Sequence, residues 1–541
     1  MSGFTGTVRL VRLALRCDHL VLPAWILGMA GFLAATTAMF EDSYTKHPEL
    51  LVPDTRIVVE NPGMRVLGLV TGPSVGGYTL HRDALTLAVL AAMMSVLAVV
   101  RHTRQAEELG REEMLGAGVV GRHASLASAV LVVLAANVVL ALVLGLAMVV
   151  AGQPAAGSLV AGTSIALVGV VFTGVAAVTS QLASTTRGAT GLAGAGLGVA
   201  FMLAALGNML GTVDSAALRV ASAWPAWLSP IGWGQQMRPF ADNLWWPAAL
   251  AVAVTVALFG WAVVLADRRD VGRGMWPERR GAAHASPTLA SPTGLVWRLQ
   301  RGVLLGWAGG LVGFGLVFGA LSDRIQGMTG AATEWYATFG GEADLLGAYW
   351  ASMMQIAGMA VATYAVALML RLRHDEAQGT LEPVLGTAVS RTRWLGAYAV
   401  NAVAGAAMLI LVYAVAMAVT GGQALGGTTA LLGDLVGAAL VQIPAIGVLG
   451  ATVAALVMVL PRWSVGLSWV LVVLTILLGP MFGPSLGLPA WLLDVSPFTH
   501  VPNAPAVAVS YGPMVGLGLA WVAMGTIGVL ALRRRNLLLP A

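Results

Sequence analysis

Long apolar stretches alternate along the chain with short charged ones, and the two kinds of segment hardly mix. Twelve stretches are long enough, at about 20 residues each, to cross a bilayer. They lie at roughly 20–40, 83–100, 125–151, 157–180, 191–211, 246–266, 303–320, 349–370, 395–419, 430–459, 465–483 and 514–532. A backbone in lipid must satisfy its own hydrogen bonds, so such runs are read as helices rather than barrel strands. The expected class is an all-α integral membrane protein. Ahead of the first run, residues 5–18 follow a different pattern. Arg9, Arg12 and Arg16 recur along one side, which predicts an amphipathic helix lying on the membrane surface.

Composition agrees: 58% of the 541 residues are hydrophobic and 10% are charged, against about 25% charged in soluble domains. The net charge of +5 is carried almost wholly by arginine, Lys46 being the single lysine. A basic balance can signal nucleic acid. Here the arginines flank apolar runs, so they report topology and imply no nucleic-acid partner. The N-terminal helix, the 101–124 loop (Arg101, Arg104, Arg111, Arg122), the 267–301 linker, the 371–393 loop and the Arg533-Arg534-Arg535 tail fall on one side. That side is expected to be cytoplasmic, with both termini inside. The 321–348 loop on the other side is net acidic, with Asp323, Glu334, Glu342 and Asp344 against Arg324. Cys17 is the lone cysteine, so no intramolecular disulfide framework exists.

An internal repeat divides the chain. Arg9-Leu10-Val11-Arg12 pairs with Arg298-Leu299-Gln300-Arg301. Glu107-x-x-Gly110 before Leu115-Gly116 pairs with Glu376-x-x-Gly379 before Leu385-Gly386. Arg187 with Gly191-Leu192 pairs with Arg462 and Gly466-Leu467. Leu206–Gly211 pairs with Leu478–Gly483, Pro225-Ala226-Trp227-Leu228 with Pro489-Ala490-Trp491-Leu492, and Ser229-Pro230 with Ser496-Pro497. The matches keep their order, giving a first transmembrane half over 1–266, a cytoplasmic linker with a second surface helix over 267–300, and a second half over 301–541. Six spans per half place the copies in parallel orientation, and a cavity on their shared axis would be a natural substrate path.

The chemistry that would energise such a protein is absent. A phosphate-binding loop needs a lysine after its glycines, and Lys46 has no glycine motif around it. No metal-ligand spacing or nucleophile–base pair is present, and the 8 histidines are scattered. Ion-coupled antiporters place carboxylates or histidines within the bilayer. Only Asp434 lies well inside an apolar run, near the external end of its span. A twelve-span proton-coupled antiporter is therefore the weaker reading, with Asp434 as its candidate residue. If ATP drives this protein, a partner must hydrolyse it.

The two long basic loops, RHTRQAEELGREEMLGAGVVGRH and RLRHDEAQGTLEPVLGTAVSRTRW, are the best functional candidates. Each gives a charged helix, then Leu-Gly, then an arginine before the next span. Glu107 and Glu376 could pair with basic groups on a docked protein, Gly110 and Gly379 would allow close backbone approach, and Leu115 and Leu385 offer apolar anchors. The bland reading is that these are solvated loops whose arginines set topology. Duplication of the Glu-x-x-Gly pattern favours docking. Trp227 and Trp491, with Pro230 and Pro497 nearby, are expected in short interfacial helices on the far side. A gating role is the sharper alternative for them. Met93, Met94, Phe201, Met202, Met209, Met353, Met354, Met481 and Phe482 fall in spans 2, 5, 8 and 11. Singly they read as packing; as a set they are candidates for lining a hydrophobic path.

On these loops and this repeat, the chain resembles the membrane subunits of bacterial ABC exporters of the ABC-2 type. It looks most like the twelve-span polyketide-antibiotic exporter permeases, including the tetronasin-resistance type, found mainly in actinobacteria. The resemblance implies a pseudo-dimeric exporter fold in a bacterial cell membrane and export of hydrophobic or amphipathic compounds. It also implies two copies of a separate ATPase subunit that bind ATP and Mg, this chain holding no cofactor. Segments 107–116 and 376–386 would be the coupling helices, and spans 2, 5, 8 and 11 would line the path. Pro383 stands where the first loop has Glu113, so the two ATPase contacts are expected to be unequal.

Overall fold

The computed structural model describes residues 3–60, 62–270, 272–276, 284, 286–325, 345–480, 483 and 489–535. It is all-α apart from one small hairpin, and 11 helices among the described residues are long and apolar enough to cross a membrane. The expected eleventh span is the exception. Its helix, Ser464–Leu478, has 15 residues, about 22 Å of rise where a bilayer core needs roughly 30 Å. The chain divides into two compact units, Met1–Gly281 and Ala282–Ala541.

In the first unit the principal helices are α1 (Thr7–Cys17), α2 (Val21–Lys46), α3 (Val75–His102), α4 (Ala124–Val150), α5 (Ala155–Leu182), α6 (Thr186–Met209) and α7 (Trp246–Arg268). On α1 the expected arginines Arg9, Arg12 and Arg16 are all exposed while Leu10 and Ala14 are buried. The chain turns from α1 into α2 at Asp18, whose buried carboxylate holds Arg101 at 2.6 Å and His102 at 2.7 Å. Helix α5 is the axis of the unit and packs against α3, α4, α6 and α7. Its glycines make this possible: a methyl at Gly162 would collide with the Ala141 carbonyl of α4. At the end remote from Asp18, the helix Leu51–Glu60 and the antiparallel pair Thr212–Asp214 and Arg219–Ala221 enclose a small core of Val58, Val59, Leu69, Val70, Leu218 and Val220. This layer falls between the apolar runs and had no periodic signal in the sequence.

The second unit contains α8 (Pro292–Ala320), α9 (Leu345–Ala377), α10 (Arg391–Leu425), α11 (Thr428–Leu440), α12 (Ile443–Val459), α13 (Ser464–Leu478) and α14 (Tyr511–Arg534). Two expectations change here. The second surface helix does not stand alone: α8 runs unbroken from its cap at Ser291, whose hydroxyl accepts from Gly294 N at 3.1 Å, into the seventh span. The predicted span 430–459 is met by Thr428–Val459, counted above as one span, but it is jointed at Val441-Gln442 into α11 and α12. Pro444, in the first turn of α12, lacks the N–H that would continue α11. The core of this unit runs along α9, α10 and α12.

Candidate functional site

The two loops after the second and eighth spans become elbows of similar build. The first contains the short helices Arg104–Glu108 and Arg111–Gly116, and the second contains Glu382–Leu385, with Gly386 as its cap. Gly110 and Gly379 both sit at positive φ, 68° and 71°. Their role is therefore the left-handed turn that reverses the chain. A methyl built on Gly110 would meet nothing within 4 Å in this chain.

Glu107 and Glu376 do not point outward. The Glu107 side chain is 9% exposed and lies between Arg104 (2.8 Å) and Arg269 (Nη1 to Oε2, 2.9 Å). Arg269 is the residue that ends α7. The Glu376 side chain is 1% exposed and lies between Arg373 (3.6 Å) and Arg535, the residue that ends α14. The remaining donors repeat as well. Arg104 Nε donates to Ser180 O at 2.9 Å, near the end of α5, and Arg373 Nε to Pro461 O at 3.1 Å, just past α12. Arg122 donates to the Arg269 carbonyl at 2.8 Å, and Arg391 to the Arg535 carbonyl at 3.0 Å. Each unit thus carries one clasp: a glutamate flanked by two arginines, with a third arginine on the backbone behind it. It fastens the elbow to the ends of two other helices of its own unit.

A buried carboxylate needs such partners. An isolated charge in a low-dielectric site is strongly disfavoured, while bidentate arginine contacts satisfy its lone pairs. The sequence signal for the clasp is Arg-x-x-Glu-x-x-Gly, present at 104–110 and 373–379. Its first arginine reads as a topology marker, and Arg269 and Arg535 carry no local pattern that ties them to it.

What remains outward on the elbows differs between the units. The first presents Leu109, Met114 and Val119 among the charged Glu108, Arg111 and Glu113, all exposed. The second presents Gln378, Glu382, Pro383 and Thr387. Leu115 is half-buried, and Leu385 packs partly against the core of its unit. The N-terminal segment braces the first elbow, with Gly121 N donating to Thr5 O and His123 N to Gly3 O, both at 2.8 Å. Behind it, Glu112 holds the Ser125 hydroxyl at 3.0 Å, and burial, reinforced by the charge of Glu107, pushes its carboxyl above the ordinary range.

The other sequence candidates are less concentrated. Trp227 is half-buried, stacks on Trp246 with centroids 5.1 Å apart, and its carbonyl accepts from Trp233 Nε1 at 2.6 Å. Trp491 is exposed, as is Trp224 of the first unit. Pro230 and Pro497 each open a short helix. The serines before them carry the duplicated contact: Ser229 donates to Ala200 O at 2.6 Å and Ser496 to Thr475 O at 3.0 Å, both hydroxyls buried. Met94, Met353 and Met354 are buried in the cores of their own units, Met93 is exposed, and Phe201, Met202 and Met209 are half-buried. Met481 and Phe482 lie outside the described residues. Asp434 is exposed on α11. The buried ionisable pair that the sequence reading missed is His81 and Asp83, because α3 begins eight residues before the apolar run predicted there.

Residues 289–533 match the model of the C-terminal domain of the multidrug efflux system permease Rv1217c. The chain is 36% identical over 546 residues to the multidrug efflux system permease protein Rv1217c of Mycobacterium tuberculosis (strain ATCC 25618 / H37Rv), covering 99% of this chain and 96% of that protein. With an all-α, multi-pass architecture, the chain belongs to the family of the multidrug efflux system permease protein Rv1217c.

Proposed function

We propose that this chain is the membrane permease subunit of an ATP-driven exporter of hydrophobic and amphipathic compounds, drugs and antibiotics among them. It lies in a bacterial cell membrane with both termini cytoplasmic, and a separate ABC-type ATPase, in two copies, docks on its elbows. ATP and Mg are bound by that partner. This chain brings no phosphate-binding lysine, since Lys46 is exposed and paired with Asp42 at 2.7 Å. The observation that carries the reading is the duplicated clasp. A loop that only sets topology needs arginines, but it has no need of a buried Arg–Glu–Arg array joining it to two other helix ends. An elbow held this way passes a displacement to the ends of α5 and α7, or of α12 and α14, instead of absorbing it. The name of the relative, an efflux permease, supports the direction of transport.

The elbow surfaces suit unequal contacts: Leu109 and Met114 give the first two large apolar side chains among its charges, and the second offers Glu382 and Pro383 instead. Substrate contact is assigned to the half-buried Phe201, Met202 and Met209 of α6.

The proton-coupled antiporter remains as a second reading because His81 and Asp83 are buried in α3. Mild-detergent purification from the native host, with stoichiometry and vanadate-sensitive ATPase activity read together, separates the two. Recovery of one permease with two ATPase subunits carries the first. A permease recovered alone, whose export collapses with a protonophore and with Asp83→Asn, carries the second.

A further inference from the structure

The second unit contains an apolar cavity of about 250 Å³ bounded by α9, α10, α12 and α14. Its walls are made of small side chains, Gly396, Ala402 and Ala406 on α10 and Gly450 and Ala454 on α12, with Trp521 and Gly525 closing it from α14. Thr392 supplies a hydroxyl at one end. From Thr392 to Ala406 the cavity follows α10 for about 21 Å at the helical rise. It is therefore long and narrow, and it opens at Thr392 and Ala399, both exposed.

The corresponding place in the first unit is filled. There Leu126 and Val130 of α4, Ala177 and Val178 of α5, and Ala262 and Leu265 of α7 form a packed cluster. Glycine placement accounts for the difference. In the first unit, close backbone packing joins α4 to α5, where methyls at Gly145 and Gly162 would meet the opposing backbone. In the second it joins α8 to α10, where a methyl at Gly315 would lie 2.8 Å from Tyr413 O and one at Gly319 would strike the Met417 carbonyl. Helix α10 is drawn onto α8 and stands away from α12.

We propose that this cavity is a binding site for a single aliphatic chain. A void lined by alkyl groups forfeits dispersion contacts on every wall unless something apolar fills it. Its volume exceeds the roughly 150 Å³ that holds one benzene and falls below the ~300–1,000 Å³ of pockets for drug-sized ligands. An unbranched chain meets both the volume and the elongated form, and the side chains of the lining carry no charge and a single hydroxyl, that of Thr392. The chain can belong to a bilayer phospholipid or to a free amphiphile such as a fatty acid. This site is separate from the elbows and does not depend on the exporter reading.

The test uses the full-length protein in nanodiscs with a palmitic-acid analogue bearing a mid-chain diazirine and an alkyne, and peptide mapping after photolysis. The expected result is labelling concentrated in 392–406 and 443–454. Labelling should fall about tenfold in Gly396→Leu/Gly525→Leu, where added side chains enter open space. Leucine also favours a helix interior over glycine, and the single Gly525→Leu serves if the double variant fails to give a monodisperse species. Gly516→Leu, on α14 but away from the cavity, should label as the parent does. Labelling spread evenly over exposed helix faces, or undiminished in the filled variants, overturns the proposal. Repeating the experiment with the same chain esterified in a phospholipid assigns the source. Labelling from the phospholipid alone identifies a bilayer lipid, and labelling from the free acid as well identifies a free amphiphile.

Discussion

Replacing Glu376 by glutamine leaves two guanidinium groups facing each other across a site whose acidic side chain is 1% exposed. The glutamine amide can accept from one of them but turns an N–H₂ toward the other. Removing one partner of a buried pair costs about 3–5 kcal/mol. Arg535 keeps the Val457 carbonyl at 2.8 Å and Arg373 keeps the Pro461 carbonyl at 3.1 Å, and both arginine side chains are partly wetted, at 12% and 22% exposed. The low end of the range, about 3 kcal/mol, is therefore expected. A double-mutant cycle with Arg535→Gln, followed by tryptophan fluorescence during SDS-induced unfolding, should give a coupling energy of at least about 1.5 kcal/mol. A coupling below about 0.5 kcal/mol, the value of a surface pair, would refute the clasp. Association with the ATPase gives a second readout in the first unit. If Glu107 acts by holding the elbow, Glu107→Gln and Arg269→Gln should weaken association alike. If Glu107 touches the ATPase directly, only its own replacement should.

Gly110→Ala and Gly379→Ala place a side chain in the left-handed region and should each cost about 1–2 kcal/mol in the same unfolding assay. Ser229→Ala removes a buried hydroxyl donor to the Ala200 carbonyl and should cost about 1–3 kcal/mol, with Ser496→Ala behaving likewise in the second unit. Burial works against the charge of Asp18, yet its hydrogen bond to His102 and the charges of His102 and Arg101 hold its carboxyl below the ordinary range. A carboxyl depressed on folding stabilises above its unfolded pKa, about 3.9, and that contribution is lost as pH falls through the folded value. The stability difference between the parent and Asp18→Asn should therefore be present at about pH 5 and shrink as pH falls below about 4. Glu112→Gln removes a carboxyl that burial pushes up. It should stabilise the protein at pH 8, with the advantage vanishing as pH falls and the parent's own carboxyl takes up its proton.

The spans were legible because hydrocarbon imposes one solution, and a run of apolar residues announces it. The break at Val441-Gln442 was not, since α11 and α12 share one continuous apolar run and only Pro444 marks the joint. The elbows could be found from their repeated Glu-x-x-Gly, but the direction in which Glu107 and Glu376 face could not. Their partners Arg269 and Arg535 are distant in sequence and look like ordinary flanking arginines. The cavity was beyond reach for another reason. Gly162 and Gly396 are the same residue type in similar surroundings, yet one meets a neighbouring backbone and the other meets open space. Which of these happens is set by the tilt of whole helices.

The order in which the ribosome makes the clasp gives it a second consequence. Arg269 follows Glu107 by 162 residues, and Arg535 follows Glu376 by 159. At ordinary elongation rates each carboxylate waits about 10–30 s for its distant counter-ion. The first elbow cannot set until the sixth span has been delivered, and it can set before the second unit has been translated. Each long-range ion pair therefore marks the completion of its own half during membrane insertion, and a chain truncated before Arg269 or Arg535 would leave the glutamate with its local arginine alone, Arg104 or Arg373, and the elbow unfastened from the last helix of its unit.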